Sequence, residues 1–380
     1  MIYLDYHATT PVDPAVREAM LPFLGDQFAN PSSGHALGRA VREAVEAARA
    51  SVAELINAQP NEIIFTSGGT EASNMAIKGA AFARQDRGKH VVTTAVEHWA
   101  TTEPLKWLER FGFETTVVPV DGFGRVAAAD IEAALRADTI LISVMHAQNE
   151  VGTLQPIDEI GRIARQRGIW FHVDAAQSVG KVPVDVQAMG ADFLSIAGHK
   201  FYGPKGIGAL YMRDGVSVEP FIHGSTQEHG RRGGTENVAM AVGLGKAAEL
   251  ARDYLAGGVH SEMRDLFWRE LKAALGERVM LNGHPDWRLP TVVNASFAGV
   301  VGGNLLAELE DVYASTGAAC HHGDAKPSAV LTAMSIERER AIGAVRFSFG
   351  RPTTEHEVRE VVNRLAKAHE RMTTSASANQ

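Results

Sequence analysis

The sequence predicts an α/β protein in two parts: a large domain built on a mostly parallel seven-stranded sheet, and a smaller α+β domain. Three observations carry this. Short β-rich runs alternate with helical patterns from residue 60 to about residue 212. The runs are continuously apolar rather than alternating, as strands covered by helices on both faces must be. The chain has 380 residues, more than one small core accommodates.

Taken in order, the predicted strands are Ile63–Thr66, Val91–Ala95, Thr115–Val120, Thr139–Met145, Trp170–Asp174, Phe193–Ile196 and Gly208–Met212. Between them, Thr70–Gln85, Ala128–Arg136 and Ile157–Arg167 carry apolar residues at helical spacing. Glu236–Leu275 reads as helix interrupted near Gly257 and Gly258, linking the two domains. Beyond it, strands at Thr291–Phe297 and Val345–Phe349 mix with helices at Leu305–Leu309 and Glu355–Arg371. The large domain is therefore assigned to residues 15–257. The smaller domain takes residues 258–380, with the arm of residues 1–14 packed on it. The polar stretch Thr373–Gln380 reads as a frayed end.

Composition narrows the function classes. A net charge of −8 argues against wrapping nucleic acid or coating an anionic membrane. No apolar run reaches the ~18 residues of a membrane span, and MIYLDYHATT does not resemble a signal peptide. A single cysteine, Cys320, forms no internal disulfide and fits a reducing cytoplasm; by composition alone it reads as an inert, buried residue.

In open α/β sheets, ligands bind beyond the carboxyl ends of the strands, and the unusual polar residues fall there. Ser67-Gly68-Gly69-Thr70 follows the first run and opens a helix, suiting a phosphate; an ordinary capped turn reads equally well. Glu97-His98 follows the second run and Asn149-Glu150 the fourth. Asp174 ends an apolar strand, where a buried carboxylate needs a cationic partner such as a protonated pyridine nitrogen, or else a cap or salt bridge. His199-Lys200 follows the sixth run and leads into a glycine-rich turn. A desolvated lysine there is a Schiff-base nucleophile. A lysine for an aldehyde carbon and an aspartate for a ring nitrogen are what pyridoxal 5'-phosphate (PLP) chemistry requires. Cys320 lies in Ser315–Asp324, a segment of small and polar residues, beside His321 and His322, which favour a thiolate if protonated. A zinc site there lacks the ligands it needs, so no metal is expected.

These motifs resemble the NifS/IscS-type cysteine desulfurases and the related selenocysteine lyases, in the class V aminotransferase group with PLP fold type I. The resemblance runs from Tyr3-Leu4-Asp5-Tyr6 to Arg346-Phe347-Ser348 and Gly350-Arg351. Its most specific stretches are Val173–Gln177, Gly198–Gly208 and Arg231–Asn237. It implies that Lys200 carries PLP, that Asp174 faces the ring nitrogen, and that His98 stacks on the ring and takes part in proton transfer. By the same resemblance Gln177 and Asn149 lie near the ring, with Gln177 beside its phenolic oxygen. Gly69, Thr70 and His199 serve the phosphate. Thr235 reaches the phosphate of a neighbouring subunit, implying a homodimer. Asn30 and Arg351 hold the substrate carboxylate, and Cys320 becomes a persulfide. The implied reaction converts L-cysteine to L-alanine and passes sulfur to an acceptor protein or thiol. A selenocysteine lyase acting on L-selenocysteine, or an aminotransferase or β-lyase of the same fold, is the alternative. Three positions depart from the pattern: Ala197 in place of a phosphate-binding serine, His7 in the N-terminal motif, and Trp99 after the stacked histidine.

Overall fold

The computed structural model describes residues 1–316 and 326–378. Twelve strands occur among them: β1 (Ile2–Tyr3), β2 (Ile63–Thr66), β3 (His90–Thr94), β4 (Glu114–Val118), β5 (Thr139–Met145), β6 (Trp170–Asp174), β7 (Phe193–Ala197), β8 (Gly208–Met212), β9 (Val279–Asn282), β10 (Val292–Phe297), β11 (Val312–Tyr313) and β12 (Ala344–Ser348). The seven-stranded sheet has the order β2-β8-β7-β6-β5-β3-β4. Strands β7, β6, β5, β3 and β4 run parallel, whereas β8 is antiparallel to both β7 and β2. The expected mostly parallel sheet is thus present.

Successive residues of its strands enter different cores, as period-two geometry demands. Phe65, Ile142, Phe171 and Leu194 pack with the helices Ala36–Leu55 and Val238–Ala256 on one face. Ile64, Leu141, Phe193 and Leu210 pack with the helix Gly69–Ala83 on the other. Both faces being covered explains why the strands read as unbroken apolar runs.

A second, three-stranded antiparallel sheet, β12-β10-β9, carries the separate core around Phe267, Phe297, Phe347 and Val361. The helices Glu262–Leu275 and Glu355–Ala378 pack on it. The latter takes up most of the tail expected to fray. The N-terminal arm joins this part of the molecule: β1 pairs in parallel with β11, and Asp5 bridges to Ser348 of β12. The short β1, β9 and β11 were not foreseen, because two to four residues carry no readable periodicity.

Candidate active site

The carboxyl ends of the parallel strands converge on a cavity of about 320 Å³. Gly69, Thr70, His98, Asn149, Asp174, Gln177, His199 and Lys200 all line it, so the structure brings together eight of the residues singled out from sequence. His7, Ala197 and Arg346 line it too.

Lys200 ends a single 3-10 turn, Gly198–Lys200, directly after β7. That turn closes tightly: a Cβ on Gly203 would stand 2.7 Å from the Gly198 carbonyl oxygen. Phe201 is buried and anchors the turn, and Tyr202 adopts φ 70° with its amide donating to Thr10 Oγ1 at 2.8 Å. The Lys200 amine donates to the carbonyl oxygens of His7 at 2.5 Å and Ala8 at 3.1 Å. Burial, reinforced by Arg346, lowers its pKa to about 8. A lysine in that state has a usable fraction of free amine near neutrality.

Asp174 closes β6, where its Oδ1 accepts from the Ala176 amide at 2.9 Å. Burial pushes its pKa up, against the pull of His98 and Lys200. No ion pair holds it among the described residues. A cationic ring nitrogen would supply the missing partner. His98 caps the helix Trp99–Leu108, its Nδ1 accepting from the Ala100 amide at 3.0 Å. In the neutral imidazole this leaves the proton on Nε2.

The helix Gly69–Ala83 points its N-terminus at the cavity with no side-chain cap, so its free amides and dipole favour an anion. A Cβ on Gly69 would stand 3.3 Å from Ala197 Cβ, so two small residues keep this end open. His199 is held to about 4 by burial and by Lys200, Lys205 and Lys181, and its Nδ1 lies 3.2 Å from Thr9 Oγ1. It is therefore neutral. An aldehyde carrying a phosphate and a protonatable ring nitrogen fits this arrangement of amine, carboxylate and uncapped helix end.

Arg346, on β12, belongs to the Arg346-Phe347-Ser348 motif, to which the resemblance gives no role of its own. Its guanidinium donates to the Asn149 carbonyl oxygen at 3.0 Å and to Asp5 Oδ1 at 2.8 Å, leaving Nε buried without a partner. Two of its groups are thereby fixed while the side chain faces the cavity. The signal was an arginine between Val345 and Phe347 on an apolar strand, where a buried charge needs partners from elsewhere in the chain.

Arg351 is placed differently from expectation. It lines an adjoining cavity of about 240 Å³ and its guanidinium lies 4.5 Å from the Tyr202 ring and 4.7 Å from the Tyr254 ring. Asn30 is exposed and lines neither cavity; its Oδ1 accepts from the Ser32 amide. Thr235 is exposed and outside both. Trp99, 75% exposed, also stands outside the lining. Cys320, His321 and His322 lie outside the described residues.

A seven-stranded sheet with its binding cavity at the carboxyl edge, flanked by a smaller antiparallel sheet, is the NifS-like arrangement of PLP fold type I. The chain belongs to the class V aminotransferase family, which matches residues 2–361. It is 49% identical to the cysteine desulfurase IscS of Dictyoglomus turgidum over 100% of this chain and 97% of that one. It is 47% identical to the cysteine desulfurase IscS of Methanosarcina thermophila over 95% and 90%. Among solved structures, a NifS-like protein superposes with a TM-score of 0.90 at 36% identity, covering 96% of this chain and 98% of that one. SspA in complex with cysteine gives a TM-score of 0.82 at 37% identity over 92% and 99%.

Proposed function

We propose that this protein is a PLP-dependent cysteine desulfurase that converts L-cysteine to L-alanine and passes the sulfur to Cys320 for delivery to an acceptor protein or thiol. The observation that carries this is the placement of the Lys200 amine, the Asp174 carboxylate and the uncapped end of the helix Gly69–Ala83 around one cavity. Relatives at 45–49% identity that are cysteine desulfurases narrow the substrate.

Bound to Lys200, PLP supplies an electron sink that makes the substrate α- and β-carbons reactive. Asp174 would keep the ring nitrogen protonated, and His98, which lines the same cavity, would stack on the ring. Gly69, Thr70 and His199 hold the phosphate, and Asn149 and Gln177 line the ring edge. The Lys200 amine, when free, would move the proton at the substrate α-carbon. Lys200 lines both cavities, but Asp174, His98 and the end of the helix Gly69–Ala83 line only the one that Arg346 enters, which favours Arg346 over Arg351 for the substrate carboxylate. The Cys320 thiolate attacks the substrate sulfur. The carbon–sulfur bond breaks with its electron pair left on carbon, which takes up a proton to become alanine, and a persulfide remains on Cys320. Thr235 completes the phosphate site of a second copy in a homodimer. No described helix is long and apolar enough to cross a membrane, and the free thiol suits a reducing cytoplasm.

The test is anaerobic incubation with L-cysteine or L-selenocysteine, followed by intact mass and alanine assay. Wild type should gain one sulfur atom on Cys320 and release alanine from cysteine. Cys320→Ala should still change the cofactor spectrum on adding cysteine but release almost no alanine. Full cysteine turnover by a stable Cys320→Ala protein would leave the aminotransferase or β-lyase function. Turnover of selenocysteine with none of cysteine would make it a selenocysteine lyase.

A further inference from the structure

One buried lysine beside the cavity has no part in the chemistry above. Lys181 is 7% exposed and sits four residues after Gln177, in the turn that follows β6. Its amine donates to the Gln177 backbone oxygen at 3.1 Å and to Gln177 Oε1 at 2.7 Å. On the far side of the same amide, Gln177 Nε2 donates to the His7 carbonyl oxygen at 2.9 Å. That oxygen also accepts from Lys200.

These contacts determine which way the amide points. An amine or ammonium bonded to two oxygens is a donor to both, so it can hold only the oxygen end of the Gln177 amide. The His7 carbonyl accepts only, so it can hold only the nitrogen end. The two constraints agree. They leave the second N–H of Gln177 without a partner among the described residues, on a side chain that lines the cavity. Lys181 makes both contacts whether charged or neutral. Burial, with Lys200 and Arg346 nearby, holds its pKa well below the ordinary lysine value, and either protonation state has enough N–H groups for both oxygens. The other titratable groups around it are His7, which burial keeps neutral, and, across the adjoining cavity, Arg351, His260, Glu262 and the phenols of Tyr6, Tyr202 and Tyr254.

We infer that Lys181 is a positioning residue: it locks the Gln177 amide with its N–H toward the cofactor's phenolic oxygen and thereby sets the protonation of the nitrogen that joins the cofactor to Lys200. This rests on the PLP assignment above. A donated N–H stabilises the phenolic oxygen as an anion and weakens that oxygen's hold on the neighbouring proton. Without Lys181 only the His7 carbonyl orders the amide, so its N–H is held less firmly toward the ring and the proton is retained to higher pH.

The experiment is a pH titration of the visible absorbance of the PLP-loaded protein, in four forms: wild type, Lys181→Met, Gln177→Ala and the double variant. Lys181→Met should move the midpoint up by about 1 pH unit. In the Gln177→Ala background the same substitution should move it negligibly, because the lock acts through Gln177. Lys181→Ala, which only enlarges a cavity already present, should match Lys181→Met and stands in for it if that variant does not fold. An equal shift in both backgrounds would show a bare charge effect and overturn the inference. So would an unchanged midpoint accompanied by a lower thermal midpoint, which marks Lys181 as structural only. A wild-type protein that shows no visible band when loaded with PLP would instead overturn the cofactor assignment itself.

Discussion

The Lys200 amine is held by two carbonyl oxygens, and the carboxylate that raises its pKa, Asp174, does less than burial and Arg346 do to lower it. The pKa of about 8 has a kinetic consequence. Below it the side chain is an ammonium with no lone pair to attack an aldehyde; above it the amine is free. The rate at which cofactor-free protein captures PLP should therefore rise with pH and level off above about 8. An ordinary lysine would keep gaining free amine toward 10.5. Stopped-flow absorbance across this range measures it, and a rate still climbing at pH 10 would show that Lys200 is not desolvated. Lys200→Ala should capture no PLP as a borohydride-reducible adduct.

At the scale of elements, the phosphate end depends on how closely β7, β8 and the loop before the helix Gly69–Ala83 approach. Gly208 opens β8, pairing with Ala197 of β7 and Thr66 of β2. A Cβ there would stand 2.4 Å from the Ile196 carbonyl oxygen and 2.7 Å from the Gly68 carbonyl carbon, both of them backbone. Backbone cannot swing aside as a side chain can. Gly208→Ala should thus cost about 1–3 kcal/mol in thermal or denaturant unfolding. It should also speed PLP loss, because the displaced Gly68 carries the helix N-terminus with it. Gly34→Ala, where a Cβ meets nothing within 4 Å, is the control and should change neither. Equal behaviour of the two variants would show that the strand–loop contact does not shape the site.

At the scale of the whole molecule, the cavity is assembled from three distant stretches of chain. The large sheet supplies Lys200 and Asp174, the second sheet supplies Arg346, and the arm threads between them. His7 is the junction: its Nε2 lies 3.1 Å from Thr291 Oγ1, its amide donates to Ser348 Oγ at 2.9 Å, and its carbonyl oxygen meets Lys200. The two arginines test which sheet element holds substrate. Arg346→Lys keeps the charge but loses the planar fork, and the KM for cysteine should rise roughly 10–100-fold, the equivalent of about 1.5–3 kcal/mol. Arg351→Met should leave KM near wild type and lower the thermal midpoint, since it removes the stacking on Tyr202 and Tyr254, about 0.5–2 kcal/mol. The opposite split would return the carboxylate role to Arg351.

Much of this protein was legible in its sequence because local rules govern those parts. Strands buried on both faces must be apolar throughout, so β2, β5, β6 and β8 could be read to the residue. Ligands gather at the carboxyl edge of such sheets, so the order of strands and polar residues already places His98, Asn149, Asp174, Gln177, His199 and Lys200 in one cleft. What depended on contacts between remote residues could not be read. The antiparallel β8 looks like its parallel neighbours, since burial on both faces erases the alternation that would mark its direction. Arg346 and Arg351 sit five positions apart in one motif, and nothing local tells them apart. Only the pairing of β12 with β10 and the bridge to Asp5 turn the first toward Lys200, while the second ends between two tyrosines. Lys181 followed the same rule: its spacing from Gln177 was visible, but its meaning came from the His7 carbonyl on the other side of the amide, 170 residues away in the chain.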